Sequence, residues 1–273
     1  MEKTKIRAPA VAGQFYPDSR QEIKKQIESF VDKKTGRQDA FACMLPHAGY
    51  IYSGRVAAET VSRIKLKDKI ILLGPNHTGF GSEFSIMTEG IWQTPLGDIQ
   101  IDTTLAKDIL GRSRYLKEDS LAHMYEHSLE VELPLLQYFK DDFKIVPIAM
   151  LSDNIDSLKE VGKEIASGIK EANIKDSILI VASSDMTHYQ PQEEAEGKDM
   201  QAIQAILELD EDKLMERIAR LNISMCGYAP VAAMLVAAKL LGAKTGKLVK
   251  YQTSGDITGD KTSVVGYAGI IIS

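Results

Sequence analysis

Three of the chain's five histidines follow short apolar runs by only a few residues. His47 lies in Pro46-His47-Ala48-Gly49-Tyr50, just after the apolar run 41–45. His77 lies in Gly74-Pro75-Asn76-His77, after the run 69–73. His188 closes Ser183-Ser184-Asp185-Met186-Thr187-His188, after the run 177–182. If these runs are parallel neighbouring strands, the three imidazoles converge on one rim of a sheet. Neutral imidazole binds zinc, copper, iron or nickel. It also takes and gives protons near neutral pH. The plainer alternative for each histidine is a strand-end cap, but that leaves their shared placement unexplained.

Cys226, in Met225-Cys226-Gly227-Tyr228-Ala229-Pro230, stands at or just before a helix start. A helix N-terminus lowers a thiol pKa and favours the thiolate, the form that ligates metals. The competing reading is a small buried residue. Cys43 falls inside a strand and reads as core. His123 and His127 are four apart, so on a continuous helix they share a face and a metal-binding spacing. Ser120 and Glu126 support a loop or helix start equally well; His127 then lies at the site margin and His123 outside it. Asp185, three residues before His188, can orient an imidazole or act as a carboxylate base. Ser183 and Ser184 raise a hydrolase, yet there is no Gly-x-Ser-x-Gly elbow. Without Gly-x-Gly-x-x-Gly or Walker A, no nucleotide cofactor is expected.

The elements that must position these residues alternate. Buried strands are expected at 41–45, 69–73, 143–151 and 177–182. Helices are expected at 54–64, 103–110, 126–139, 153–172, 194–209, 211–220 and 228–241. Residues 85–102 read as a strand excursion with a turn near Thr94-Pro95-Leu96-Gly97. The strands 247–253 and 263–272 form a terminal antiparallel pair, joined by the polar segment 253–260. This alternation describes one α/β domain over 1–273, with a mixed, mostly parallel central sheet flanked by helices. In such sheets ligands bind beyond the carboxyl ends of the strands, where the three histidines stand.

Composition narrows the partners. Of 273 residues, 44% are hydrophobic and 26% charged, which is ordinary for a folded soluble chain. With 38 acidic against 33 basic residues, the net charge of −5 argues against nucleic acid as the main partner. No apolar run reaches the roughly 18 residues of a membrane span, and Met1-Glu2-Lys3-Thr4-Lys5 leads into no signal-peptide core. Two cysteines make no disulfide framework, so reduced thiols and a cytoplasmic location are expected.

Several stretches together resemble the Memo family along nearly the whole chain. They are Arg7-Ala8-Pro9-Ala10-Val11-Ala12-Gly13-Gln14-Phe15-Tyr16-Pro17, Pro46-His47-Ala48-Gly49-Tyr50 with Ser53-Gly54, Gly74-Pro75-Asn76-His77, Glu126-His127-Ser128-Leu129-Glu130, Ser184-Asp185-Met186-Thr187-His188-Tyr189, and Cys226-Gly227. The resemblance implies a fold like that of class III extradiol dioxygenases. It implies that His47 and His77 are metal ligands, and that Cys226 takes the third ligand position, where the dioxygenases carry Glu. His188 then matches the catalytic base, with Asp185 beside it, and His127 lines the pocket.

A thiolate in place of a carboxylate softens the site, so the implied cofactor is iron or copper, with zinc also accommodated. Ring cleavage is not implied. The leading expectation is a metal-dependent redox enzyme with His188 and Asp185 moving protons. A second is a binding protein whose cleft receives a peptide or small ligand between aromatic walls Tyr16, Tyr50 and Trp92. A third is a copper- or iron-handling protein without turnover.

Overall fold

The computed structural model describes residues 5–31 and 36–273. The apolar runs are strands: Ala42–Leu45, Lys69–Pro75, Lys144–Met150 and Ile178–Ser183. Nearly every residue in them is buried, as expected of strands covered on both faces. Ile178–Ser183 lies between Ala42–Leu45 and Lys69–Pro75, and Lys144–Met150 lies beyond Lys69–Pro75, all parallel. Their carboxyl ends therefore share one edge.

Antiparallel strands complete the sheet. Val264–Ile272 pairs with Ala42–Leu45 on one side and with Gly246–Thr253 on the other, forming the expected terminal pair. The polar segment joining them holds a short helix, Gly255–Thr258. At the far side Phe84–Ile86 pairs antiparallel with Lys144–Met150, and Lys117–Glu118 follows it. A short strand not evident from patterning, His188–Gln190, pairs with the start of Val264–Ile272. The excursion at 85–102 ends in a hairpin, Ile91–Thr94 with Gly97–Gln100. The N-terminal strand Ile6–Arg7 joins that hairpin in parallel as a separate three-stranded sheet.

Helices flank the sheet. Tyr228–Leu241 packs on the central parallel strands, and Ile155–Glu171 packs against that helix. The two approach closely because Gly162 lacks a side chain: a Cβ there would sit 2.6 Å from the Ala233 carbonyl. A smaller apolar cluster lies under Tyr50–Val61. It gathers Ile23 and Ile27 from helix Arg20–Phe30 and Leu135 from helix Glu132–Phe139.

One expected helix is corrected. Residues 126–139 are not continuously helical: a short helix Leu121–Met124 is followed by irregular chain, and only Glu132–Phe139 is helical. The Glu126 carboxylate accepts the Ser128 N–H locally and two groups of His77, an arrangement that competes with helix formation. Pro134 falls in the first turn of Glu132–Phe139, where its missing N–H costs nothing.

Candidate functional site

The shared edge brings three expected ligands together. Strand Ala42–Leu45 ends two residues before His47, and Lys69–Pro75 two residues before His77. Their ring centroids lie 5.2 Å apart, nearly edge to face. Cys226 comes from across the sheet edge, directly before Gly227, the N-cap of helix Tyr228–Leu241. Gly227 is required there, because a Cβ would lie 2.3 Å from the Ser183 carbonyl. Its N–H donates to Ser184 Oγ at 2.9 Å, and the Asp185 N–H donates to Cys226 Sγ at 3.3 Å. These contacts seat the sulfur 3.2 Å from His47 Nε2. His47, His77 and Cys226 each offer one ligand atom, all within 4.8 Å of one another.

Four histidines of this region are engaged through Nδ1. His47 Nδ1 lies 2.8 Å from Ser183 Oγ. His77 Nδ1 lies 2.9 Å and His127 Nδ1 3.4 Å from Glu126 Oε1. His188 Nδ1 lies 2.9 Å from the Ser224 carbonyl, which can only accept, so that nitrogen carries the hydrogen. Burial works to raise Glu126, but the His77 hydrogen bond and charge and the Ser128 N–H outweigh it and bring its pKa down to about 2. As a carboxylate it too only accepts, so His77 Nδ1 carries a hydrogen, while His127 Nδ1 lies beside the same oxygen. Such carboxylate–histidine contacts are a usual support for metal-binding imidazoles.

His77, Glu126 and His127 make a second cluster of ligand types. The His77 and His127 rings stack 4.6 Å apart. Glu126 Oε1 is already occupied by Ser128 N–H and His77 Nδ1, so Glu126 is an acceptor hub that orients the His77 ring, on which His127 stacks.

Burial sets the electrostatics. It lowers the pKa of His47, with the neighbouring histidines adding to the effect, and it lowers His127 and His188 also. These shifts favour the neutral imidazole at His47, His127 and His188, the form that ligation or base catalysis requires. Burial pushes Asp185 up to about 7 despite N–H donation from His47 and Ala48 to its Oδ1. Burial also pushes the Cys226 thiol up, and the Asp185 charge adds to it. Here the expectation of a helix-activated thiolate is corrected. The helix start is present, but desolvation wins, and Cys226 is a thiol until a cation displaces its proton.

The structure does not bring the expected aromatic walls to this cluster. Trp92 is fully buried against Arg7 and His123. The Tyr16 hydroxyl donates to Glu130 Oε1 at 2.6 Å, and the Tyr50 hydroxyl donates to the Val131 carbonyl at 2.8 Å. These three side chains are spent on packing and on tying the 126–131 segment down. Phe15 instead meets the site, 4.8 Å from the His127 ring. His123 faces the Ser85 carbonyl and shares no face with His127, because the helix is broken between them. Ser183 is buried behind His47 rather than poised as a nucleophile. Glu126 and Glu132 escaped functional assignment from sequence. The available signal was a series of acidic residues at 126, 130 and 132 amid the apolar run leading to Leu136.

The donor set suits a metal. A single ion at roughly 2.0–2.3 Å from each donor needs donors no more than about 4.6 Å apart, close to what is seen. Two imidazoles and a thiol favour copper, iron or zinc over magnesium or calcium.

The family model and the curated relatives match nearly the whole chain. A family model described as Memo-like protein matches residues 7–271. A MEMO1 family protein of Methanococcoides burtonii is 46% identical over 269 residues, covering 98% of this chain and all of that one. Relatives of the same description from Methanocaldococcus jannaschii and Methanopyrus kandleri are 45% and 42% identical, covering 98% and 97% of this chain and 99% and 98% of theirs. An uncharacterized protein of Escherichia coli K12 has a solved structure with TM-score 0.59 at 14% identity, covering 84% of this chain and 98% of that one, a likeness of fold alone.

Proposed function

The chain belongs to the Memo-like family, and on that premise we propose that its strand-edge cleft binds one iron or copper ion and is a metal-dependent redox site. The observation that carries this reading is the seating of Cys226 Sγ 3.2 Å from His47 Nε2, with His77 completing the trio. His47, His77 and Cys226 would hold the ion, which supplies one-electron redox chemistry when bound. The other residues manage protons. His188, fixed on Nδ1 by the Ser224 carbonyl, keeps Nε2 for a substrate proton. Asp185, with its near-neutral pKa, takes or gives a proton beside the ligands. His127 and Phe15 form a wall against which a small organic molecule can lie. Cys43 and Cys226 are both free thiols, which supports a reducing, cytoplasmic setting. Among the described residues no helix is long and apolar enough to cross a membrane.

The test is anaerobic titration of the metal-free protein with iron(II) and with copper(I), followed by oxygen-consumption assays with candidate reductants and substrates. Wild type should take up one ion per chain. His47→Ala and Cys226→Ser should lose uptake, and His188→Gln should keep uptake but slow oxygen-dependent turnover. Uptake with no turnover, and ready transfer to a chelator, would replace the redox reading by metal handling. No uptake would leave a binding cleft for an organic or peptide ligand.

A further inference from the structure

Behind His47 lies a buried hydrogen-bond junction that the redox proposal does not use. Ser183 Oγ is 2.8 Å from His47 Nδ1, 2.8 Å from Glu132 Oε1 and 2.8 Å from the Ser128 carbonyl. A hydroxyl has one proton and two lone pairs. The Ser128 carbonyl can only accept, so the single Ser183 proton goes to it. Ser183 must then accept from both remaining neighbours. An ionised carboxylate has no proton to give, and a bare Nδ1 has none either.

We propose that Glu132 is a buried, protonated carboxylic acid which, through Ser183, locks His47 as the Nδ1–H tautomer and so presents its Nε2 lone pair to Cys226. Ser183 and Glu132 are positioning residues. Both are buried, Ser183 against His47 and Glu132 against Ser183. The burial of Glu132 agrees with this. Glu132 Oε2 is buried with no hydrogen-bond partner, which a neutral acid tolerates and a carboxylate does not. Burial, with the Asp185 charge adding to it, also raises the Glu132 pKa well above the ordinary carboxyl range despite the Ser183 contact. Glu132 opens the helix Glu132–Phe139 amid apolar neighbours, Val131 and Leu133, so no charged partner is supplied by its own element.

The arrangement matters because an imidazole offers a metal only the nitrogen that lacks hydrogen. In the opposite tautomer, His47 Nε2 would carry a hydrogen pointing at the ligand position, and its lone pair would face Ser183. The role toward the metal rests on the function proposed above; the tautomer itself does not.

The experiment reads the metal-free protein first. Long-range nitrogen–proton correlation spectra of histidine-labelled protein, with His47→Gln for assignment, should show His47 protonated on Nδ1 and bare on Nε2 at pH 8. Infrared difference spectra at the same pH should show the carbonyl stretch of a protonated carboxylic acid in wild type, absent in Glu132→Gln. That glutamine can still donate N–H to Ser183, so it should keep the His47 tautomer and wild-type metal affinity. Ser183→Ala should lose the tautomer preference and lower metal affinity by roughly 10- to 100-fold. An Nε2–H His47 in wild type, or a carboxylic acid band unchanged by Glu132→Gln, would overturn the proposal whether or not Ser183→Ala folds. A wild type that binds no metal overturns the redox reading instead, because the metal-free spectra alone decide this one.

Discussion

Replacing Arg7 by methionine should destabilise the protein by about 3 kcal/mol. The guanidinium donates from Nη1 to Glu130 Oε2 at 2.6 Å, from Nε to the His123 carbonyl at 2.7 Å and from Nη2 to the Glu126 carbonyl at 2.6 Å. It also lies 4.1 Å over the Trp92 ring. The Arg7 side chain is 4% exposed and that of Glu130 0%, so removal strands a buried carboxylate. Breaking such a pair from one side costs about 3–5 kcal/mol. The lower figure applies because Glu130 keeps three donors: the Ala10 and Val11 N–H groups and the Tyr16 hydroxyl. Methionine of similar length retains much of the packing on Trp92. With a urea slope of about 3 kcal/mol/M, the unfolding midpoint should fall by about 1 M at unchanged slope. The double variant Arg7→Met with Glu130→Gln should recover part of the loss, since the stranded charge is gone. A single variant within about 0.5 kcal/mol of wild type, the ordinary range for inert surface changes, would refute the claim that this pair staples the N-terminal arm to the segment bearing Glu126 and His127.

Three further outcomes are expected. Because burial keeps Cys226 a thiol, metal binding must expel one proton; the apparent affinity should therefore rise about tenfold per pH unit across neutral pH, read by competition with a chelator of known affinity, and a pH-independent affinity would contradict thiol ligation. Gly227→Ala places a Cβ 2.3 Å from the Ser183 carbonyl and 2.5 Å from Ser184 Cβ, so it should cost about 1–3 kcal/mol and weaken metal uptake by displacing Cys226, with urea melts and titration as the checks. Burial raises the Asp199 pKa against donation from Thr187 N–H and the Tyr251 hydroxyl. The folded state therefore holds this proton more tightly than the unfolded chain, and wild type loses stability as pH rises from the usual value of 3.8 through the raised one. Asp199→Asn should gain on wild type across that window and hold a constant difference above it, measured by melts from pH 4 to 8; a gap that does not move with pH would refute this.

Much of the site was legible because buried strands are punctuated sharply. Pro46 and Gly74-Pro75 mark strand ends, and the residues just beyond them are rim residues in any parallel sheet. The helix Tyr228–Leu241 begins and ends where its apolar run does. The helix Arg20–Phe30 went unread although Ser19 caps it, with Oγ accepting the Glu22 N–H, and Ile23 and Ile27 share its buried face. Its charged remainder masked that stripe. The pairing of Ile6–Arg7 with Ile91–Thr94 is a contact across more than eighty residues, which local pattern does not encode. Residues 126–131 fail as a helix because Glu126 and Glu130 are committed to distant partners, His77 and Arg7. The same commitments explain why Tyr16, Tyr50 and Trp92, plain aromatics in sequence, end as packing rather than cleft. Sequence leaves Cys226 open between a helix-start thiolate and a small buried residue because depth of burial is a tertiary quantity; here burial raises the thiol against the helix terminus.

The central claim is that His47, His77 and Cys226 hold one metal ion. X-ray absorption at the metal edge of anaerobically loaded protein tests it most directly. One sulfur and at least two imidazole nitrogens should surround the metal in wild type, with the sulfur contribution lost in Cys226→Ser. A spectrum fitted by nitrogen and oxygen alone in wild type, or a sulfur signal that survives Cys226→Ser, would contradict it.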